Sequence, residues 1–393
     1  MKVLFVSNLF PDSQEAIRGL DNAVLLTKLL EGGYASEIRA IGVRPVLWPG
    51  CVPDRRRNRH RQPRPEEACF RPHYVEAPYL PKIGSRWNAR LMSKALHEPI
   101  TKALEEFDCD MILASWLFPD GWAVADVALK VGKPVTLICQ GSDAHRYLHS
   151  PVRKRFIIEA CSRSHTVIAR SRKLAEMLVA NGAPEEKVHA VYNGVDTDLF
   201  CPGPQTEARE QLGVATVGPL FLFVGNLLPV KNPMLLLRAW KLFCAEWAGA
   251  GTPLMAMAGD GPLRAQVESF ARANGLQDNL LLTGRIPPPL IARWMRASDV
   301  LCLSSHNEGL PNVILEAFAS GLPVVSTDVG GISEVLVHPW LGELTPPGEV
   351  DDFAAAMARQ IATAGLHKER IAQWGRGYSW GRSCEAYLRI FLA

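Results

Sequence analysis

The amino-acid sequence predicts an α/β protein with two doubly wound, parallel-sheet domains of the Rossmann-like kind. Its 393 residues are enough for two domains of ordinary size. Short apolar runs rich in β-branched residues alternate with helical patterns, which is typical of parallel strands joined by crossover helices. With 48% hydrophobic and 21% charged residues, the composition is that of a globular protein and excludes disordered and collagen-like chains.

The first half of the chain contains four strand signals interspersed with helical patterns. The predicted strands cover residues 3–6, 111–113, 135–138 and 166–169, and the predicted helices cover 21–32, 121–131 and 171–181. Residues 44–72 are rich in Pro and Arg and have no regular period, so they are predicted to form a long surface loop. We therefore assign residues 1–203 to one Rossmann-like domain.

The second half repeats this alternation. The predicted strands cover residues 220–225, 254–259, 280–284, 300–303 and 323–326, and the predicted helices cover 233–246, 262–274 and 311–320. Turn-forming residues cluster at 200–204, so residues 204–376 are predicted to form the second domain and 377–393 a terminal helix that packs on the first. Ligands of open α/β sheets bind beyond the carboxyl ends of the strands, so we expect the domains to face each other across a cleft.

Several classes of protein are excluded by what the sequence lacks. No apolar run approaches the ~20 residues that a membrane-spanning helix needs. The nine cysteines form no CxxC pair, which favours a reduced, cytoplasmic chain. No His/Cys/Asp cluster has metal-ligand spacing, so neither a metal nor a cofactor is expected. The basic residues are not interleaved with stacking aromatic residues, so nucleic acid is not an expected partner.

The most informative segment follows the strand signal at 300–303 and enters a helix. Pro311 lies near the first helical position, where its missing N–H costs nothing, and the free N–H groups of such a helix start suit a phosphate. Glu308 precedes this helix and Glu316 lies within it. Two carboxylates beside a phosphate site suit a ligand with hydroxyl-bearing rings on either side of a phosphate, as in a nucleotide sugar. In the alternative, Glu308 only assists the helix start and Glu316 is a solvated helix residue.

The spacing of Glu308 and Glu316 resembles the E-x7-E signature of the retaining GT-B glycosyltransferases, in particular their large family four. Other motifs of that family occur in the same order along nearly the whole chain. The resemblance implies the GT-B fold and the transfer of a hexose from a UDP- or GDP-linked sugar to a hydroxyl of a glycan or lipid-linked acceptor, with retention at the anomeric carbon. Cell-surface polysaccharide synthesis is the implied process.

The loop after the strand signal at 220–225 carries the implied diphosphate-binding residues. Lys231 lies just before a predicted helix, where its ammonium group can neutralise a diphosphate leaving group. In the family an arginine follows the glycine that corresponds to Gly225. Asn226 stands there in this chain, and it supplies hydrogen bonds without the charge. By resemblance, Arg285 lies in the loop that borders the nucleoside base.

The first half contributes the implied sugar and acceptor side. Gln140, Gly141 and Asp143 match a family segment near the reacting centre, where Gln140 replaces the usual histidine. Because glutamine does not titrate, acid–base catalysis at this position is not expected. Asp120 lies in a motif that resembles one of polysaccharide-building members, and it is expected to border the acceptor. Gly19 matches the place where the family's glycine-rich loop approaches the donor phosphates.

The resemblance also implies roles in the reaction. Glu308 would bind hydroxyls of the donor sugar, and Glu316 would bind the ribose hydroxyls. Lys231 and the N–H groups around Gly309 and Leu310 would stabilise the charge that develops on the leaving diphosphate, without a metal ion. Glu308 and Lys231 are thus the implied catalytic residues. The leaving phosphate itself would accept the proton of the acceptor hydroxyl.

Three alternatives remain open at this stage. A nucleotide-sugar epimerase on the same fold would need an acid–base set near the sugar, which Gln140 disfavours. A non-catalytic relative that binds a nucleotide sugar or scaffolds an assembly fits the departures at Asn226 and Gln140. A phosphorylase is the third, although its pyridoxal phosphate lysine has no clear counterpart. Turnover of a sugar donor separates these alternatives from a transferase.

The small net charge of +3 is unevenly distributed. Residues 1–203 carry +5 and residues 204–393 carry −2, while residues 146–173 alone carry +7 and residues 54–67 carry +3. A solvated basic face is one explanation. The sharper hypothesis is that the first domain docks on an anionic membrane surface beside a lipid-linked acceptor. We therefore expect a cytoplasmic protein that associates peripherally with the inner face of the membrane.

Overall fold

The computed structural model describes residues 1–15, 18–47, 62–81, 83–214 and 217–392. The chain divides into two compact units, one formed by Met1–Asn193 with Trp380–Ala393 and the other by Gly194–Ser379. Each unit contains one sheet of parallel strands with an apolar core on both of its faces. The predicted fold class of two doubly wound parallel sheets is therefore confirmed.

Within the described residues, the sheet of the first unit has seven strands. They are β1 (Lys2–Ser7), β2 (Glu37–Leu47), β3 (His73–Tyr79), β4 (Met111–Ser115), β5 (Val135–Cys139), β6 (Thr166–Ala169) and β7 (Val188–Ala190). Their spatial order is β3-β2-β1-β4-β5-β6-β7, and all neighbouring strands are parallel. Because the direction of winding reverses between β1 and β4, the loops after these strands diverge and leave a crevice at the carboxyl edge.

In the described part of the chain, six α-helices precede the second unit and cover the first sheet. They are α1 (Leu20–Glu31), α2 (Asn88–Glu106), α3 (Trp122–Val131), α4 (Ser142–His145), α5 (Pro151–Arg163) and α6 (Arg172–Ala180). The helix α1 begins after Gly19, whose φ of 67° suits glycine and whose added Cβ would lie 2.1 Å from the backbone of Leu9. This close approach brings the start of α1 over the end of β1.

The predicted loop at 44–72 is partly wrong. Its first residues belong to β2, which pairs with β3 as far as Leu47 and Tyr79, and Pro65–Phe70 forms a short 3-10 helix. The partner strand lies far along the chain, so no local period in the sequence marks this pairing. Residues 48–61 lie outside the described residues, and they include the three consecutive arginines of the basic stretch 54–67.

The sheet of the second unit has six strands in the part of the chain that the structure describes. They are β8 (Leu220–Val224), β9 (Leu254–Ala258), β10 (Leu280–Gly284), β11 (Val300–Leu303), β12 (Val324–Thr327) and β13 (Gly342–Thr345). Their order is β10-β9-β8-β11-β12-β13, again with parallel neighbours. The helices are α7 (Gln205–Gln211), α8 (Pro233–Glu246), α9 (Arg264–Ala273), α10 (Pro288–Ala297), α11 (Asn312–Ala319), α12 (Val350–Ala362) and α13 (Lys368–Gly375). The loops after β8 and β11 lie side by side at the carboxyl edge.

The unit boundaries differ from those that the sequence predicts at 203/204 and 376/377. The backbone N–H of Val195 donates to the carbonyl of Tyr378 at 2.8 Å, and Phe200 is buried in the core of the second unit. The segment before the Pro-Gly turn therefore packs with the second unit. The turn-forming residues mark a turn within this unit rather than its beginning.

The last helix, α14 (Trp380–Leu392), belongs to the first unit. Its buried side chains join the same apolar cluster as α1 and β1, and they are Trp380, Cys384, Tyr387 and Phe391. Ser383 Oγ donates to the carbonyl of Tyr192 at 2.9 Å. Leu388, on the same helix, is only half-buried. The chain thus leaves the first sheet, builds the second and returns to complete the first core.

Two observations concern the environment of the chain. None of the helices that the structure describes is both long and apolar enough to cross a bilayer. The eight cysteines among the described residues are all free thiols, and five of them are buried. Burial raises the pKa of the Cys161 and Cys244 thiols to about 12, so these groups stay protonated at neutral pH.

Packing of α14 generates a prediction about adjacent residues. Phe391 is 9% exposed and contacts the Tyr387 ring, whereas Leu392 is 74% exposed. We expect Phe391→Ala to lower the free energy of unfolding by about 3 kcal/mol because it leaves a cavity, and Leu392→Ala to change it by less than about 0.5 kcal/mol. Thermal and urea unfolding measure both variants.

Hydrogen–deuterium exchange locates the effect of the Phe391 substitution. Exchange should rise in α1, which shares the apolar cluster of α14, and stay unchanged in α8 of the second unit. Equal destabilisation by the two substitutions, or faster exchange confined to α8, would contradict the placement of α14.

Candidate functional site

The loops that follow β8 and β11 are tied together. Lys231 ends a short 3-10 helix, Pro229–Lys231, and Asn232 caps α8 by accepting a hydrogen bond from the N–H of Leu235. Ser304, directly after β11, donates from its Oγ to the carbonyls of Lys231 and Asn232 at 3.1 and 2.9 Å. This contact fixes the position of the Lys231 backbone relative to the neighbouring loop.

Lys231 and Glu308 form an ion pair at this edge. Lys231 Nζ donates to Glu308 Oε1 at 2.5 Å, and Ser305 Oγ donates to the same oxygen at 2.6 Å. The side chain of Lys231 is 23% exposed and that of Glu308 is 10% exposed, so the pair is largely shielded from water. The structure thus brings together the two residues that the sequence nominates as catalytic.

The Glu308 loop is supported by the loop that follows β12. Gly330 has a φ of 58°, and an added Cβ would lie 1.9 Å from the Glu308 carbonyl oxygen. The N–H of Gly331 donates to the carbonyl of Gly309 at 2.6 Å. Sequence analysis did not single out these glycines. Their only signal is the pair Gly330-Gly331 shortly after a predicted strand.

The helix α11 begins one residue later than the sequence suggests. Pro311 has an extended backbone and caps α11, so Asn312 is the first helical residue. Leu310 and Glu316 are half-buried. The N–H groups of Gly309 and Leu310 donate to no acceptor within the described part of the chain. Free N–H groups before a helix start favour an anion at this position.

Gly225 and Asn226 follow β8 next to the loop after β9. Gly259 has a φ of 155°, and an added Cβ would lie 1.9 Å from the Gly225 carbonyl oxygen, so only glycine permits this approach. Asn226 is exposed. Arg285 is also exposed, but it follows β10, which is separated from β8 by β9. Arg285 is therefore at the same edge without being adjacent to Lys231 in the strand order.

At the carboxyl edge of the first unit, Asp120 is completely buried. The N–H and Nδ2 of Asn8 donate to its two carboxylate oxygens at 2.5 and 2.6 Å. Arg18 in turn donates to the carbonyl and the Oδ1 of Asn8 at 2.7 and 2.9 Å. Burial raises the pKa of the Asp120 carboxyl to about 6, although the hydrogen bonds from Asn8 oppose this shift. Asp120 thus holds the loop after β1 rather than facing solvent.

Asp143 plays a similar part for the loop after β5. Its carboxylate is completely buried and accepts hydrogen bonds from the N–H groups of Leu117, Gln140 and Gly141. Burial raises the pKa of Asp143 above its usual range, against the effect of these hydrogen bonds. The carboxylate therefore joins the loops after β4 and β5. As with Asp120, its oxygens are not exposed to a ligand.

Gln140 is held in place by its side-chain amide. Its Nε2 donates to Asn22 Oδ1 and to Ser115 Oγ, both at 2.8 Å. Asn22 donates from Nδ2 to the carbonyl of Leu9 at 2.8 Å. Asn22 and Ser115 were not nominated from the sequence, because neither lies in a recognisable motif. The amide network connects the loops after β1, β4 and β5.

A cavity of about 270 Å³ opens beside this network in the first unit. It is lined by Leu9, Gly19, Leu20, Asp21, Asn22, Trp116 and Gln140. Gly19 and Gln140, which the sequence nominates separately, thus share one cavity. Trp116 has a φ of 79°, which is unusual for a residue other than glycine and turns the chain sharply after β4.

The basic stretch 146–173 does not form one face, contrary to the sequence-based expectation. Arg163 is paired with Asp126 and Glu159. Arg170 is 3% exposed, its guanidinium lies 5.8 Å from the centre of the Tyr387 ring, and its three side-chain nitrogens have no hydrogen-bond partner in the described residues. The strand–helix alternation buries Arg170 at the end of β6. The net charge of +7 that residues 146–173 carry in the sequence is therefore larger than the charge that they contribute to any one surface.

In residues 1–15, 18–47, 62–81, 83–214 and 217–392, no group of three or more His, Cys, Asp and Glu side chains is placed to hold a metal ion.

Comparison with known proteins identifies relatives along the chain. The model described as Glycosyl transferases group 1 matches residues 204–376, and that described as Glycosyltransferase Family 4 matches residues 35–199. A D-inositol 3-phosphate glycosyltransferase of Actinosynnema mirum is 30% identical over 292 residues, which are 70% of this chain and 68% of that protein. The putative teichuronic acid biosynthesis glycosyltransferase TuaC of Bacillus subtilis is 26% identical, covering 91% of this chain and 89% of TuaC.

Other relatives are matched over a smaller share of their length. In three further D-inositol 3-phosphate glycosyltransferases the match covers 57%, 52% and 46% of their length, so the chain spans about half of these proteins.

Anabaena HepE in complex with UDP matches with a TM-score of 0.74 at 20% identity, covering 99% of both chains. This likeness confirms the predicted fold, and the family models confirm the resemblance stated from the motifs.

The raised pKa of Asp120 generates a prediction. Its folded-state pKa of about 6 exceeds the unfolded value of about 3.9. The group therefore stabilises the fold most when it is protonated, below about pH 4, and this contribution is lost as the pH rises through 6. Between pH 5 and 7 we expect the unfolding free energy of the wild type, relative to Asp120→Asn, to fall by about 1 kcal/mol.

Urea unfolding of both proteins across this range measures the difference. Asp108→Asn is the control, because Asp108 is exposed and its hydrogen bond to Lys133 lowers its pKa. The difference between Asp108→Asn and wild type should be constant from pH 5 to 7. A constant difference for Asp120→Asn as well would show that the Asp120 carboxyl is already ionised throughout this range.

Proposed function

The chain belongs to the glycosyl transferases group 1 family. On that premise we propose that it is a retaining glycosyltransferase that moves a hexose from a nucleotide diphosphate sugar to a hydroxyl of a glycan or lipid-linked acceptor. The observation that carries this proposal is the shielded ion pair between Lys231 and Glu308 at the carboxyl edge of the second sheet. It joins a cation suited to phosphate with a carboxylate suited to sugar hydroxyls.

The geometry of the ion pair leaves hydrogen-bonding groups of Lys231 and Glu308 available to a nucleotide-sugar substrate. Lys231 Nζ has three N–H groups, of which Glu308 takes one, so the others remain for phosphate oxygens. Glu308 accepts from Lys231 and Ser305 through Oε1 alone, and Oε2 accepts no hydrogen bond within the described residues. Oε2 is the atom we assign to the hydroxyls of the donor sugar.

The diphosphate would bind between Lys231 and the start of α11. The free N–H groups of Gly309 and Leu310 supply two further donors, and the positive end of the helix dipole favours an anion there. Glu316, within α11, is assigned to the ribose hydroxyls, and Arg285 to the border of the base. HepE, of the same fold, was solved with UDP, which supports a uridine nucleotide as the first donor to test.

The proposed reaction breaks the bond between the anomeric carbon and the diphosphate oxygen. Negative charge develops on the leaving diphosphate, and Lys231 with the two N–H groups stabilises it in a partly shielded site. The acceptor oxygen bonds to the same face of the anomeric carbon, and its proton passes to the leaving phosphate. No protein base is needed in this scheme, which agrees with glutamine at position 140.

Two observations support a glycan or lipid-linked acceptor: the cavity of the first unit and the name of one relative. Gln140 and Gly19 line the cavity at its carboxyl edge, and Asp120 and Asp143 hold the surrounding loops. TuaC is named for teichuronic acid biosynthesis, which supports a role in cell-surface polysaccharide synthesis. A lipid-linked acceptor would place the protein at the inner face of the membrane.

Removal of the Glu308 charge tests the proposal. We expect Glu308→Gln to lower kcat/KM for sugar transfer by about a thousandfold, because Lys231 loses its partner and the donor sugar loses an ionised acceptor. The control is Glu343→Gln, which breaks the ion pair with Arg359 in the same unit and should leave activity within twofold. Product formation from radiolabelled UDP-sugars and GDP-sugars measures both. Full activity of Glu308→Gln, with a fold that melts like the wild type, would refute the assignment.

Asn226 provides a gain-of-affinity test. It is exposed on the diphosphate loop, where the family carries an arginine. We expect Asn226→Arg to tighten UDP binding about tenfold through a charge-assisted hydrogen bond, and to lose most of this gain at high salt. Asn226→Gln should leave the affinity unchanged, and calorimetry measures both variants. If neither the wild type nor Asn226→Arg binds UDP or GDP, the non-catalytic scaffold becomes the better description.

A further inference from the structure

An exposed apolar pair lies at the start of α2. Ile83 is 74% exposed and Trp87, four residues later, is 49% exposed. Single exposed apolar side chains are common on protein surfaces, but two large ones only four residues apart make this segment a candidate interaction surface. Tryptophan in particular is enriched where a protein meets the interfacial region of a bilayer, because its ring is apolar and its N–H is polar.

The segments that flank this pair and that pack beside it are rich in basic residues. Residues 77–97 contain four Lys and Arg and no Asp or Glu, and residues 144–158 contain another four and no Asp or Glu. Arg86, Arg90 and Arg155 are exposed, and none of them forms an ion pair within the described residues. Two acidic residues, Glu98 and Asp126, line a pocket with Arg90, and Asp126 is already paired with Lys130 and Arg163. The unpaired arginines leave this surface with a net positive charge.

The two segments form one continuous surface. Arg153 Nε donates to Ser85 Oγ at 3.2 Å, and the Arg90 guanidinium lies 5.5 Å from the centre of the Phe156 ring. These contacts join the start of α2 to the first turns of α5. We call the result the basic–apolar surface. Its members are Ile83, Arg86, Trp87, Arg90, Arg153 and Arg155.

We propose that the basic–apolar surface docks the first unit on an anionic phospholipid bilayer. Ile83 and Trp87 enter the interfacial region, and the arginines lie against the phosphate headgroups. This surface replaces the whole stretch 146–173 as the docking site, because Arg163 is already paired and Arg170 is buried. Docking requires no sugar donor and goes beyond the proposed transfer reaction.

A bilayer fits better than a nucleic acid. Arg153 lies 4.4 Å from the centre of the Tyr147 ring, and Arg90 lies over Phe156, so arginines already occupy a face of these two rings. Single-stranded nucleic acid needs aromatic faces on which successive bases stack. Trp87 alone does not provide such a series, and Ile83 offers no stacking face at all.

The place of the surface in the fold connects it to the candidate site. Ile83 follows the end of β3, and α5 follows β5 through α4, so both parts lie at the carboxyl edge of the first sheet. The same edge carries Gln140 and the cavity beside it. A lipid-linked acceptor held in the bilayer would therefore be presented to this edge. That last step rests on the proposed function, whereas docking itself does not.

Vesicle co-sedimentation of the full chain tests the docking. We expect binding to vesicles of phosphatidylcholine with about one third phosphatidylglycerol, and at least tenfold weaker binding to phosphatidylcholine alone. High salt should weaken the binding, because headgroup attraction is screened. Absence of binding to the anionic vesicles at low salt, or equal binding to both, would overturn the proposal.

Two double variants separate the apolar and charged contributions. Ile83→Ser with Trp87→Ser, and Arg86→Glu with Arg155→Glu, should each weaken vesicle binding at least tenfold. The matched controls lie in the second unit: Leu366→Ser with Val337→Ser, which are 72% and 48% exposed, and Arg238→Glu with Arg272→Glu. All altered side chains are exposed, so the fold should be retained, and thermal melting verifies this.

The outcomes of the variant series are distinct. Unchanged binding by the Ile83 and Trp87 variant would overturn insertion, and weaker binding by the second-unit controls would overturn the location. A blue shift of tryptophan emission on vesicle binding that Trp87→Phe removes would support insertion directly. Tight binding of single-stranded nucleic acid that the vesicles do not compete would overturn the choice of a bilayer. Loss of transfer activity in Glu308→Gln with full vesicle binding would show that docking and chemistry are separate properties.

Discussion

The ion pair between Lys231 and Glu308 is the interaction around which the second unit's candidate site is built. Its two residues follow neighbouring parallel strands, and both loops must be fixed for the charges to meet. Ser304 and Ser305 provide one set of ties through hydrogen bonds. Gly330 provides another by the absence of a Cβ, which lets its backbone approach the Glu308 carbonyl. A largely shielded ion pair costs desolvation energy. A ligand that hydrogen-bonds to the remaining groups of Lys231 and Glu308 would offset part of this cost.

In the first unit, buried carboxylates fix the positions of the loops at the carboxyl edge of the sheet. Asp120 and Asp143 are buried completely, and their carboxylates accept hydrogen bonds from backbone N–H groups of the loops after β1, β4 and β5. These carboxylates act inside the protein, whereas Glu308 retains a free oxygen. Resemblance alone placed Asp120 and Asp143 on the acceptor side. The contacts show that both carboxylates hold the surrounding loops in place.

The sequence predicts the features that depend on local patterns. Strand and helix signals located most of both sheets, and the order of parallel strands then placed Lys231 and Glu308 at one edge. Features that depend on distant partners were missed. The boundary at 193/194 follows from the bond between Val195 and Tyr378, and the support of Glu308 by Gly330 joins loops after β11 and β12. No periodicity in the sequence carries such contacts, so only the folded chain reveals them.

Charge is the property for which sequence and structure differ most. Counted along the chain, residues 146–173 form the strongest basic segment, yet the fold divides it among an ion-paired Arg163, a buried Arg170 and a few exposed side chains. The start of α2, unremarkable in that count, adds exposed arginines and two apolar side chains to α5. The carboxyl ends of parallel strands gather at one edge, so this combined surface and the cavity beside Gln140 share that edge of the first sheet. The α/β topology therefore brings the proposed docking surface and the cavity beside Gln140 to the same edge of the first unit.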